Sequence, residues 1–242
     1  MALVNENLSE SLRRTLFDVT KGNLGISCDI LNYIGKENCN KNIDDIFNKD
    51  DYKTLFTNVL NIRTSSINKE QPAFIKTIKA ASVIGEIFNQ IYLPEIIEEN
   101  EFDISRILST AMNNQFIDYE NVMYTYSFFD KIVFQFFDQN FNEYKKEYHY
   151  KFAMAIKKIK PDDYYMQFYH FRASGKIYEA AEVLVLYLLR QEMSGCFINM
   201  QLVDYLRDKS NSLYLHFFYL KFVLNTLKFC NIYAIKNKAS FH

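Results

Sequence analysis

A chain of 242 residues, 49% hydrophobic and 24% charged, is long enough to bury a core and to hold one domain or two. Its 28 basic and 29 acidic side chains leave a formal charge of -1, which excludes the uniform positive field that recruits nucleic acid or an anionic membrane. Cys28, Cys39, Cys196 and Cys230 stand far apart with no Cys-x-x-Cys pair, which argues against a zinc site or a disulfide scaffold and predicts reduced thiols in a cytoplasmic protein.

With only 6 Gly and 3 Pro, the chain reads as mainly helical. Met1 to Arg14 is polar and lacks the apolar core of a signal peptide. Leu8, Leu12, Leu16 and Val19 recur at helical spacing, and Thr20-Lys21-Gly22-Asn23 stops that helix. A second helix runs from Leu24 to Ile34, with Gly35 as its expected C-terminal stop. Asp44 to Leu60 is periodic again, and the polar stretch Asn61 to Gln71 reads as a linker and domain boundary.

From Pro72 a helix runs to Ile84, Gly85 breaks it, and a new helix is expected around Gln90 to Ile97. Asp103 to Asn114 follows with Ile104, Ile107, Leu108 and Met112 on one face. The period then changes: residues 116 to 128 read as a β-hairpin around Asp118-Tyr119-Glu120-Asn121, with Val122, Tyr124, Tyr126 and Phe128 sharing a face. Three helices followed by a hairpin is the order of a winged helix. Helices over Asp130–Phe137 and Asn142–Lys158 come next, and then antiparallel pairs of tetratricopeptide type: Asp163–Ala173 with Lys176–Arg190, and Asn199–Arg207 with Leu213–Tyr233.

Four stretches in this order resemble a family, the STAND-type signalling ATPases, which include maltose-regulon activators, LuxR-type large regulators and the C-terminal region of soluble adenylyl cyclases. Thr20-Lys21-Gly22-Asn23 is similar to the Thr-x-Gly-Asn after the family's helical lid, with Leu24 where proline is usual. Ala80 to Phe88 matches the segment beyond the nucleotide-binding core. Tyr126 to Val133 resembles a Tyr-x-Phe-His-Asp-x-Ile stretch with Phe129 in place of histidine, and Tyr148-His149 resembles the Leu-His of the helix that follows. Tyr169 to Lys176 with Ala180-Ala181 is similar to the opening of the helical repeats.

The resemblance implies a lid-like segment over residues 1–68, a winged-helix-like domain over 69–160 and a helical-repeat segment over 161–242. The Gly-x-x-x-x-Gly-Lys-Ser/Thr loop that cradles phosphate in such ATPases has no counterpart, because Gly22-Asn23-Leu24-Gly25 is too short and lacks the lysine and hydroxyl. The expectation is therefore a non-enzymatic, protein-interacting part of a larger signalling protein, with no catalytic residue, metal ligand or cofactor.

His149 and His170 lie among aromatics with no nucleophile or metal-ligand spacing, so packing or hydrogen bonding at a helix junction is expected of them. Asp44-Asp45, Asp50-Asp51 and Asp162-Asp163 read as helix caps. The alternative function is a winged-helix transcriptional regulator, whose reading helix would be Asp103 to Asn114. Arg106 is its only cation and Glu95, Glu98, Glu99 and Glu101 precede it, an arrangement that repels phosphate. Phe128, Phe129, Phe134, Phe136, Phe137 and Phe141 read as core.

The tail Leu213–Tyr233 is apolar nearly all round, yet His216, Lys221, Asn225, Lys228 and Asn231 interrupt it. A central lysine costs roughly 2.5–3.5 kcal/mol on insertion, so no stable membrane span is expected. A partner protein, or the remainder of a longer chain, is expected to cover it.

Overall fold

Few glycines and prolines and repeated apolar positions three and four apart favour helix, and the computed structural model is mainly helical, with a small antiparallel sheet. It describes residues 10–20, 22, 24–37, 51–139, 142–194 and 200–209. Cys39, Asp44, Asp45, Asp50, Phe141, Cys196, Cys230 and Leu213–Tyr233 lie outside the described residues. The chain divides into two compact units, Met1–Asn142 and Glu143–His242.

In the first unit α1 (Glu10–Thr20) and α2 (Leu24–Glu37) bury Leu16, Ile26, Ile30 and Ile34. Helix α2 continues through Gly35, so that glycine is not a stop. Helix α3 (Asp51–Glu70) runs 20 residues through the stretch expected to be a linker. The reason is visible at Thr64: its side chain is buried and its hydroxyl donates to the Leu60 carbonyl at 2.7 Å, so a residue with poor helix propensity satisfies itself inside the helix.

Helix α4 (Phe74–Ile84) is the centre of this unit. It buries Phe74, Thr77, Ile78, Ala80, Ala81, Ser82 and Val83, and α3, β1 and three later helices pack around it. The two alanines keep neighbouring helices close. Gly85 then turns the chain, at a φ of 152° that favours glycine, and a Cβ there would lie 3.2 Å from the Ile87 carbonyl oxygen. It leads into a strand, β1 (Ile87–Asn89), and not directly into a helix as expected. A single 3₁₀ turn (Gln90–Tyr92) and α5 (Leu93–Ile97) follow.

Helix α6 (Glu101–Asn113) starts at Asn100, whose side chain accepts from the Asp103 backbone N–H at 2.9 Å. Strands β2 (Ile117–Tyr119) and β3 (Thr125–Phe128) complete a sheet of order β1-β3-β2, antiparallel throughout. Helix, strand, two helices, then a hairpin whose second strand lies in the middle is the winged-helix order. Tyr126 and Phe128 face the core, but Val122 and Tyr124 belong to the exposed turn and do not share their face. Phe88 stacks on Tyr126, and Phe116 meets Phe74 and Phe137 edge-on, so the aromatics bind sheet to helices, including α7 (Lys131–Gln139).

The second unit begins with α8 (Asn142–Ile159). Helices α9 (Tyr164–Ala173) and α10 (Ile177–Met193) form a hairpin, closed by Gly175 at a φ of 81° and by the Lys176 N–H donating to the Phe171 carbonyl at 3.0 Å. Ala153, Phe168, Phe171, Ala180, Ala181, Leu184, Leu188 and Leu206 form its core, the last from α11 (Met200–Lys209).

Candidate functional site

Residues one turn apart on α2 and α3 wall a cleft in the first unit. Cys28, Asp29, Asn32 and Tyr33 come from α2, Val59, Arg63, Ser66 and Ile67 from α3, and Asn114 closes one end around a cavity of about 570 Å³. That size suits a small molecule. Arg63 is the organising group: its guanidinium lies 5.2 Å above the Phe116 ring, and its Nη1 is 3.4 Å from Asp29 Oδ2. At that distance the ion pair acts through charge, and Nη1 is buried without a hydrogen-bond partner. Burial lowers the Arg63 pKa, and the Asp29 carboxylate opposes the shift. The two charges neutralise each other, and among the described residues no histidine lines the cleft beside the Cys28 thiol.

The second unit brings together the two histidines singled out in the sequence. His149 on α8 and His170 on α9 are buried, with their Nδ1 atoms 2.8 Å apart. The Phe152 ring packs edge-on against His170 at 4.4 Å, and Tyr169 flanks both. His170 Nε2 is buried with no partner. Desolvation first, and His149 second, push the His170 pKa down to about 3. With one face occupied by another imidazole and the other by carbon, this pair has no substrate-facing nitrogen at His170. It pins one helix to the next, as expected of residues at a helix junction.

The remaining sequence candidates fall into structural places. Asp163 caps α9, accepting from the Met166 N–H at 3.3 Å. Phe128 and Phe137 are buried, and Phe134 and Phe136 pack on them. Arg106 on α6 is exposed and pairs with Asp103 at 3.2 Å, while Phe102, one turn earlier on the same helix, is 79% exposed. Among the described residues, no three His, Cys, Asp or Glu side chains converge as metal ligands would, and no helix is long and apolar enough to cross a membrane.

The cleft was not found from sequence. Its signal is the spacing of Asp29, Asn32 and Tyr33 against Ile62, Arg63 and Ser66, which has meaning only once residues 61–70 are taken as helix. Comparison with known protein families, curated proteins and solved structures finds no match for this chain.

Proposed function

We propose that this chain is a non-catalytic helical regulatory module that acts through protein contacts, resembling the region downstream of the nucleotide-binding core in a STAND-type signalling ATPase and forming part of a larger cytoplasmic signalling protein. The observation that carries this reading is the surface of α6, the helix through which a winged helix would read DNA. Glu101 and Asp103 occupy its first turn, Phe102 projects beside them, and its single cation is engaged by Asp103. Phosphate binding needs unpaired cations, whereas an exposed phenylalanine suits a protein surface. The order of elements supports the resemblance: helices, a winged helix, then a helical hairpin.

Titration of the purified chain with magnesium–ATP and with duplex DNA at low salt tests the reading. Neither should bind. Micromolar ATP binding, or DNA retention that falls steeply with salt, would overturn it.

A further inference from the structure

The turn of the β2–β3 hairpin is apolar and exposed. Val122, Met123 and Tyr124 stand in it at 63%, 67% and 44% exposure. The Gln90 N–H donates to the Tyr124 carbonyl at 2.8 Å, and Asn89 Nδ2 reaches the Met123 carbonyl at 3.3 Å, which brings exposed Ile91 alongside. Tyr119, also exposed, ends β2. Interfaces favour exposed tyrosine and methionine of this kind.

The stretch of chain that carries this patch is acidic. Between Lys79 and Lys131 the chain carries nine carboxylates and, as cations, Arg106 alone. Asp118 pairs in register with Ser127, and Ser127 with exposed Ile87, so an acid and an apolar side chain share the outer face, while Glu86, whose carbonyl accepts from the Phe128 N–H at 3.0 Å, lies at the end of the sheet away from the turn. Glu120 begins the turn itself and Glu95 lies on α5.

We infer that the hairpin turn is a docking surface for a basic amphipathic segment of a partner protein, one whose apolar residues cover Val122, Met123 and Tyr124 while flanking lysines or arginines meet the acidic rim. An acidic rim excludes a nucleic-acid or anionic-lipid occupant, and an apolar centre gives the contact a core that charge alone lacks. The inference rests on the reading of the chain as a protein-contact module and names the chemistry of the partner.

The test uses the full chain and a fluorescent amphipathic helical peptide built from leucine and lysine, with a leucine–glutamate peptide and a short DNA duplex as controls. The lysine peptide should bind, more tightly as salt falls, and the glutamate peptide and the duplex should not. Combined V122S, M123S and Y124S should weaken binding about tenfold with an unchanged circular dichroism spectrum. D118K with E120K should weaken it at low salt more than at high salt. Absence of peptide binding, binding indifferent to the hairpin changes, or sedimentation as a dimer that those changes dissolve would overturn the inference. The last result would assign the patch to a second copy. ATP binding by the chain would remove the broader reading without altering any of these peptide outcomes.

Discussion

Two imidazoles with Nδ1 atoms 2.8 Å apart can share one proton between those atoms but cannot each carry one there. The unfolded chain has no such restriction, and near a pKa of about 6.5 each histidine takes up its own proton. For His170, held in the fold at about 3, the unfolded state binds more protons between about pH 6.5 and 3. Its contribution to stability is therefore complete above about pH 6.5 and declines as pH falls toward 3, by about 1.4 kcal/mol per pH unit in the middle of that window. The urea midpoint should fall between pH 6.5 and 5, before most carboxylates titrate, and H170F should flatten that slope. An unchanged slope in the variant would show that His170 is not the group responsible. Gly85 gives a second test at this scale. With a φ of 152° and the Ile87 carbonyl oxygen 3.2 Å from any added Cβ, G85V should lose about 2–4 kcal/mol in urea unfolding, through strain in the turn from α4 to β1.

At the scale of elements, α3 shows how a helix can hide in a polar sequence. Asn61, Thr64, Ser65, Ser66 and Asn68 have weak helix propensity, and propensity summed over this stretch favours a linker. Tertiary packing prevails: Thr64 is buried, Arg63 lies across Phe116, and Asn68 Oδ1 accepts from the Ile75 N–H at 3.3 Å, bracing the start of α4. R63A should destabilise by about 1–2 kcal/mol, and R63M, which keeps the stem packed on the ring, by less. Equal losses in the two would assign the effect to charge alone. Helices α4 and α6 are legible because their apolar spacing matches their burial, whereas α9 buries Gln167 and His170 and exposes Tyr165 and Tyr169, so its inner face could not be read from apolar spacing. Strand β1 is only three residues long, too short to show a period of two, so its identity depends on pairing with β3, some 40 residues away. The hairpin was legible, but its register was not: alternation from Val122 to Phe128 is equally compatible with a longer strand, and Tyr124, at a φ of 60°, ends the pattern by leaving the extended region.

Across the whole molecule a formal charge of -1 conceals a division. Residues 1–142 hold 13 bases and 20 acids, and residues 143–242 hold 15 bases and 9 acids. Composition taken over the full chain averages these into near neutrality, which is why the acidic setting of the hairpin could not be inferred from net charge. Each unit has buried side chains of its own: Phe74, Ile78, Phe88, Leu108 and Phe116 in the first, Phe168, Phe171, Leu184 and Leu188 in the second. A unit with its own core should fold by itself. Residues 1–142 expressed alone should unfold in a single urea transition with a slope of about 1–3 kcal/mol/M, and, at a formal charge of -7, should elute from an anion exchanger at higher salt than the intact chain. A broad, non-cooperative transition would mean that its core is incomplete. Early elution from a cooperatively folded fragment would instead mean that its acids are masked, and the hairpin would then lack the field that selects a basic partner.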